Sequence, residues 1–408
     1  MRLRTRVAIV GAGPAGLTLA NVLQQAGIDC VVVERQTRAY VEARARAGLI
    51  DHRTVEFLAG HGLADRLLAE GSEHGSCEFR HQGERFSISY RDLAAERSHH
   101  VYPQQFLVRD LVAAYLAGGG TLLFSHPAAA LHGLDGDRPV LRCEPDGADP
   151  LDIECDFVAG CDGFYGVSRQ AVPAGRLHTF TKDHEFGWLA VLAETPPVGE
   201  EVIYALHEDG FAGHMLRTPS VTRFYLQCPV GDRPESWPDE RIWPALHRRL
   251  GLTDTELKPG PVTEKNVLDM RSFVVEPMQY GRLFLLGDAA HIITPAGGKG
   301  MNLAVADAAE LAAGLLAHYS GAGSGALDGY SAACLPRIWQ AQEFSHWLLH
   351  LLHSPAAGQP DSAFMHRLQL SRLAQLRYSP PYTAMFSDSY VGPFDHPAVS
   401  RPRTADRR

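Results

Sequence analysis

The chain has no surplus of positive charge. Its 38 Lys and Arg residues face 47 Asp and Glu, a formal net charge of −9 over 408 residues. Without a basic patch to neutralise phosphates, nucleic acid is excluded as a partner class. Long apolar runs are missing too, since none approaches the roughly 20 residues of a membrane helix. The opening Met1–Arg6 runs directly into a strand-like segment, which leaves no room for a secretory leader. Cysteine is sparse. The seven, at 30, 77, 143, 155, 161, 228 and 334, show neither metal-ligand spacing nor the density of a disulfide framework. No metal is therefore expected, and a reducing, cytoplasmic compartment is the simplest reading. Repeats are also absent.

What is present is an ordinary globular composition, 45% hydrophobic and 21% charged. The length exceeds one ordinary core and predicts two or three lobes. Alternating patterns at 188–192, 201–205, 211–217 and 222–228, bounded by Gly or Pro, read as strands of a mostly antiparallel sheet. A helix is expected over 240–250. From Gly300 the pattern turns helical: 301–317, then 326–353 with a kink at Pro336, and a last helix over 361–376. Ser320–Gly325 reads as a short flexible linker, and residues 401–408 as a frayed tail.

The first segment carries the clearest chemistry. Val7-Ala8-Ile9-Val10 reads as a buried parallel strand. Gly11-Ala12-Gly13-Pro14-Ala15-Gly16 follows, then Leu19, Val22, Leu23 and Ala26 at helical spacing, a stop at Gly27, and a second strand Cys30–Val33 ending at Glu34. In such a βαβ unit Gly11 permits the tight turn, Gly13 lets the backbone approach a pyrophosphate, and Gly16 lets helix and strand pack closely. The helix N-terminus offers N–H groups to phosphate. Glu34, roughly 20 residues on, is placed to accept from ribose hydroxyls.

Two more acids sit just past apolar runs: Asp162 in Cys161-Asp162-Gly163 and Asp288 in Gly287-Asp288-Ala289-Ala290-His291. Strand ends of this kind are where open α/β sheets place ligands. Pro295-Ala296-Gly297-Gly298-Lys299-Gly300-Met301-Asn302 then opens a helix whose N–H groups suit the electron-rich edge of a flavin. Each acidic turn alone is as readily structural. The set, in this order, points to a divided FAD site.

Together with Gly160-Cys161-Asp162-Gly163-Phe164, Ala43-Arg44-Ala45-Arg46-Ala47-Gly48 and Arg271-Ser272-Phe273-Val274-Val275-Glu276-Pro277-Met278-Gln279, these motifs carry a resemblance. From Val7 to Gly392 the chain resembles the single-component, FAD-dependent aromatic hydroxylases of the 4-hydroxybenzoate 3-monooxygenase type. The resemblance implies an α/β fold with α+β lobes. A Rossmann-like FAD domain would comprise 1–73, 100–182 and 271–351, a β-sheet substrate domain 74–99 and 183–270, and a helical or interface region 352–408. It implies FAD contacts at Ala15, Glu34, Arg44, Arg46, Ala47, Gly48, Gln104, Asp288, Met301 and Asn302, beside Gly11, Gly13, Gly16 and Asp162. Arg35, Gln36 and Tyr40 match residues that select NADPH over NADH. Tyr165 stands where a His usually meets the pyridine nucleotide. A homodimer is common among the relatives.

The resemblance also furnishes a substrate pocket. Tyr204 and Tyr390 match a tyrosine pair that contacts the substrate phenol and relays its proton, with Pro295 supplying a carbonyl and His74 the solvent end. Arg217 and Tyr225 match the clamp on a carboxylate, flanked by Met215 and Leu216. Arg223 matches an arginine tied to flavin movement. Strand parity predicts a shared face for Met215 and Arg217, and separately for Arg223 and Tyr225. The implied reaction uses O2 and a flavin C4a-hydroperoxide to hydroxylate 4-hydroxybenzoate ortho to its hydroxyl, giving 3,4-dihydroxybenzoate. Three residues depart from the pattern: Met215 replaces a serine, Leu206 an asparagine and Ala296 a threonine. They make 4-aminobenzoate or a substituted 4-hydroxybenzoate the main alternative. An inactive flavin-binding regulator and a plain nicotinamide dehydrogenase are the more distant ones.

Overall fold

The computed structural model describes residues 1–44, 48–94, 97–253, 256–354 and 361–392. Its nucleotide half is built on short strands, the four central ones with every side chain buried. Val7–Val10 pairs in parallel with Cys30–Val33 on one side and Phe157–Gly160 on the other. Thr121–Leu123 and Leu283–Leu285 extend the sheet in parallel, and Gln279–Tyr280 closes one edge antiparallel. Runs such as Val-Ala-Ile-Val suit strands covered on both faces. The helices Pro14–Gln25, Gln104–Ala117 and Gly300–Tyr319 share one apolar core with this sheet. Gly300–Tyr319 is long and apolar enough to cross a membrane, but here it is packed inside the protein. A separate four-stranded sheet joins Arg2–Arg4, Leu151–Glu154, Val140–Cys143 and Ala128–His132.

The other half is an eight-stranded, mostly antiparallel sheet. Its order is His291–Ile292, Val262–Glu276, His178–Ala193, Val221–Pro229, Ala212–Thr218, Val202–Leu206, Ser76–His81, Glu84–Ser89. Alternation sorts its side chains onto two faces. Leu189, Val191, Ile203, Ala205, Phe224 and Leu226 pack under the helix Asp239–Leu250. Trp188, Tyr204, Leu206 and Met215 face the opposite way, toward Phe344, Phe386 and Tyr390 of the C-terminal helices. That second face bears the candidate site.

The expected strands all form, yet two run far longer than their patterns suggested. His178–Ala193 and Val262–Glu276 continue as a paired ribbon whose outer part is largely exposed. Exposure on both faces removes the alternation that marks a strand. The helix expected over 326–353 is two, Gly325–Asp328 and Tyr330–Leu352, divided at Gly329; Pro336 is accommodated inside the second. A helix not expected at all, Pro380–Val391, follows Ser362–Tyr378. Among the described residues no cluster of His, Cys, Asp or Glu is arranged to hold a metal.

Candidate active site

The glycine turn after the first strand is fixed by steric limits. Gly11 adopts φ +106°, and a Cβ there would lie 2.4 Å from the Cys161 carbonyl oxygen. A Cβ on Gly16 would lie 2.1 Å from the Gly11 carbonyl oxygen. Gly13 differs, because a Cβ there would meet nothing within 4 Å. The protein does not need glycine at 13 for its own packing. The space above it, facing the helix start, is a cradle a pyrophosphate would fill. The first intrahelical bond runs from Leu17 N to Gly13 O at 3.0 Å, so Ala15 and Gly16 have N–H groups with no acceptor in the helix. Glu34 braces the turn by accepting from Ala12 N at 2.9 Å and Gln36 N at 2.8 Å. A carboxylate has about four acceptor positions, which leaves capacity for a ribose.

Across the sheet, the Gly287–Ala289 turn is anchored by a carboxylate that the motifs did not reveal. Asp307, fully buried, accepts from Gly287 N at 3.0 Å, meets His291 Nε2 at 2.6 Å and pairs with Arg337 at 3.3 Å. Burial works to raise its carboxyl, but His291, Arg337 and the Gly287 N–H outweigh this and hold it below the usual range. Asp288 is thereby displayed at the surface of the turn. Arg169 ties the two acidic turns together, donating to Ala289 O at 2.9 Å and Phe164 O at 2.5 Å. Asp162 is directed to the short helix behind it, accepting from Ser168 N at 2.9 Å. Asn302 spends its side chain on structure, bridging Asp51 N, Leu49 O and Gly298 O; its own N–H and that of Met301 lie in the first turn of Gly300–Tyr319.

The remaining expected cofactor positions are peripheral. Gln104 begins the helix Gln104–Ala117. Gly48 is pressed to the Tyr102 carbonyl, where a Cβ would come within 2.2 Å. Arg44 is exposed beside the Tyr40 ring, Arg35 is exposed as well, and Tyr165 is among the most exposed aromatics. Arg46 and Ala47 lie outside the described residues.

On the substrate sheet one cross-strand row reads Phe79, Tyr204, Gly213, Tyr225, Ala190. Directly opposed residues share a face. Gly213 leaves room for the Phe211 ring, since a Cβ there would lie 2.8 Å from it. Met215 and Arg223, also opposed, form the next row. A register shift between Leu216 and Thr218 interrupts the strand, so Arg217 sits at a bulge. Arg217 is half-buried. Burial lowers its pKa, opposed by the nearby Tyr225 and reinforced by Arg223. Arg223 is buried 3.7 Å from Glu264.

The tyrosines meet. Tyr204 Oη lies 2.8 Å from Tyr390 Oη, joining residues 186 apart in sequence, and both are buried. Burial raises the pKa of both. Lys299, buried between, donates to the Tyr390 carbonyl and lies 5.6 Å from the Phe344 ring centre. Burial lowers its pKa to about 8 against the pull of Asp51. The Pro295 carbonyl already accepts from Gly298 N at 3.0 Å and retains a second lone pair. Leu206 and Ala296 are buried, and Leu216 is half-buried. His74 is buried in the strand Ser72–His74, its carbonyl accepting from Tyr90 Oη at 2.9 Å. Burial lowers its pKa, with Glu200 and Glu201 opposing.

Several residues at the site gave no local sequence signal. Trp188 Nε1 donates to His353 Nε2 at 2.5 Å, and His353 Nδ1 bonds to Leu349 O at 2.9 Å. The first bond makes Nε2 the acceptor, so Nδ1 carries the proton. Burial pushes that ring down to about 3. Phe211 stacks on Trp188 at 4.8 Å, giving the pocket a rigid aromatic wall.

Residues 4–345 match the family described as FAD binding domain. The chain is 39% identical to p-hydroxybenzoate hydroxylase from Acinetobacter baylyi over 391 residues, 96% of each chain. It is 30% identical to aklavinone 12-hydroxylase RdmE from Streptomyces purpurascens, covering 79% of this chain and 64% of that protein. Among solved structures, p-nitrophenol 4-monooxygenase from Pseudomonas putida superposes with a TM-score of 0.81 at 19% identity, over 96% of this chain and 99% of that one. At that identity the likeness shows the fold. A backbone cradle of the right shape and 39% identity across nearly the whole chain converge: the chain belongs to the FAD-binding family of flavin-dependent aromatic hydroxylases and is a monooxygenase.

Proposed function

We propose that this enzyme hydroxylates 4-hydroxybenzoate, or a close para-substituted benzoate, ortho to the para hydroxyl, with NADPH as reductant. The observation that carries this reading is the hydroxyl pair of Tyr204 and Tyr390, 2.8 Å apart on the wall beside Tyr225 and Arg217. FAD, held by the Gly11–Gly16 turn, Glu34, the Asp288 turn and the start of Gly300–Tyr319, supplies the redox chemistry with O2. The chain itself must orient the ring and raise its electron density. Arg217 and Tyr225 hold the carboxylate. A guanidinium in an aromatic pocket is matched by an anionic guest.

At the opposite end the phenol donates to Tyr204 Oη, whose own proton passes to Tyr390 and onward toward His74. Both tyrosines are held protonated by burial, so they act as relays and donors rather than as bases. A free phenol has a pKa near 10, and lowering it by two units needs only about 2.7 kcal/mol of preferential stabilisation of the anion. Hydrogen bonds from Tyr204 and the positive charge of Lys299 act in that direction. Arg35, Gln36 and Tyr40, on the surface beyond Glu34, are the proposed NADPH determinants. A homodimer and a reducing cytoplasm complete the reading, the latter supported by seven free cysteines.

Met215 favours a second substrate. It is buried among the aromatic side chains of the substrate face, in place of a hydroxyl donor. That reshaping supports 4-aminobenzoate or a ring-substituted 4-hydroxybenzoate. The regulator and dehydrogenase alternatives lose their footing with family membership. A panel of para-substituted benzoates assayed with NADPH decides the matter. The reading requires at least one that both stimulates NADPH oxidation and is recovered hydroxylated. Failure of the whole panel rejects the substrate class.

A further inference from the structure

We propose that His99 shares with His74 the terminal place in the proton path from Tyr390, as a positioning residue that receives and returns the substrate proton. The inference rests on the relay reading above. His99 is 1% exposed in His99–Val101, the central strand of a three-stranded sheet. It stands directly opposite Asp51 on one neighbour and His74 on the other. Opposed residues project to the same side, so Asp51, His99 and His74 form one row. The His99 ring lies edge-on to Tyr390 at 5.1 Å between centroids and to Tyr90 at 5.3 Å. At that separation the imidazole is in ring contact with both tyrosines.

Among the described residues neither nitrogen of His99 makes a hydrogen bond of ordinary geometry, its nearest polar partner being the Tyr390 backbone, and His74 Nε2 has none. Buried orphan polar groups are rare and call for a reason beyond packing. An apolar residue would fill the same space without them. The titratable and charged groups around His99 are Lys299, Tyr390, His74, His100, Asp51 and Tyr90. Burial, then Lys299 and His74, disfavour a charge on the ring, while the Tyr390 backbone favours one. The imidazole therefore rests neutral, with one nitrogen able to accept.

The step moves protons only. The substrate O–H proton goes to Tyr204 Oη as the Tyr204 proton goes to Tyr390 Oη and the Tyr390 proton to one His99 nitrogen, while the other nitrogen releases its proton toward His74, so the buried ring stays neutral. The shifts reverse when product is reprotonated. No electrons are transferred along the path.

The test uses FAD-loaded enzyme with 4-hydroxybenzoate as probe, following ionisation of the bound phenol by ultraviolet difference spectra across pH. His99→Val removes both nitrogens, and His99→Gln keeps a polar side chain should valine disturb folding. In either folded variant the ionisation midpoint is expected to rise by about one pH unit, with kcat falling about tenfold and KM little changed. A midpoint and kcat equal to wild type in both would overturn the role of His99. If wild-type enzyme itself never ionises the bound phenol, the relay reading fails first, and the inference falls with it.

Discussion

The two ends of the proposed active site are made of different material. At the nucleotide end the working parts are main chain: the Gly11–Gly16 turn, the N–H groups of Ala15 and Gly16, and the start of Gly300–Tyr319, with Glu34 and Asp307 as braces. At the substrate end they are side chains delivered from remote segments: Tyr204 and Arg217 from one sheet, Lys299 from a helix start, Tyr390 from the last helix. Backbone sites depend on where side chains are forbidden. Side-chain sites depend on which ones are brought together. The first tolerates almost no change of shape; the second can be retuned one residue at a time, as at Met215.

Substitutions that separate shape from chemistry test this contrast. The largest effect is expected at Gly16. Gly16→Val places carbon against the Gly11 carbonyl and should abolish soluble, FAD-containing protein. Gly13→Ala should fold with an unchanged melting temperature yet retain far less FAD, read as the flavin-to-protein absorbance ratio. Should both variants behave alike, Gly13 has no separate role in binding.

Next comes the buried brace. Asp307→Asn leaves His291 and Arg337 without their shared anion, a change of about 3–5 kcal/mol in stability by analogy with other buried pairs. Because the folded carboxyl is held below its ordinary value, its contribution is complete above about pH 4. It is lost as pH falls through the lower folded value. Denaturant unfolding at several acidic pH values should show that slope in wild type and a flatter one in the variant.

Smaller still is Tyr204→Phe, which keeps the aromatic wall. Product formation should fall about a hundredfold, within the span usual for general acid–base groups, with ligand affinity nearly intact and peroxide released instead. Equal turnover and coupling would remove Tyr204 from the relay. The mildest change is Met215→Ser. A hydrogen bond to a charged group contributes roughly 1.5–3 kcal/mol, so benzoate binding should tighten about ten- to a hundredfold. Weaker binding would mean that Met215 lines a pocket for a different group.

The same contrast explains what the sequence disclosed. The βαβ unit was legible because glycine spacing, buried β-branched runs and the acid at 34 are local and mutually reinforcing. Asp307 was not, because a lone Asp inside an apolar helix carries no sign of the turn it holds. Tyr204 and Tyr390 were singled out through family likeness, and only the fold brings them together, on a helix that local pattern did not predict. The outer ribbon of His178–Ala193 was missed for another reason, having no buried face to create a pattern.

The most direct test supplies purified FAD-loaded enzyme with NADPH, 4-hydroxybenzoate or 4-aminobenzoate, and isotopically labelled O2, then analyses the product by mass spectrometry. The account predicts a ring-hydroxylated product carrying one labelled oxygen beside the para substituent, formed in step with NADPH consumed. Peroxide as the sole oxygen product with both compounds, or label arriving from water, would contradict it.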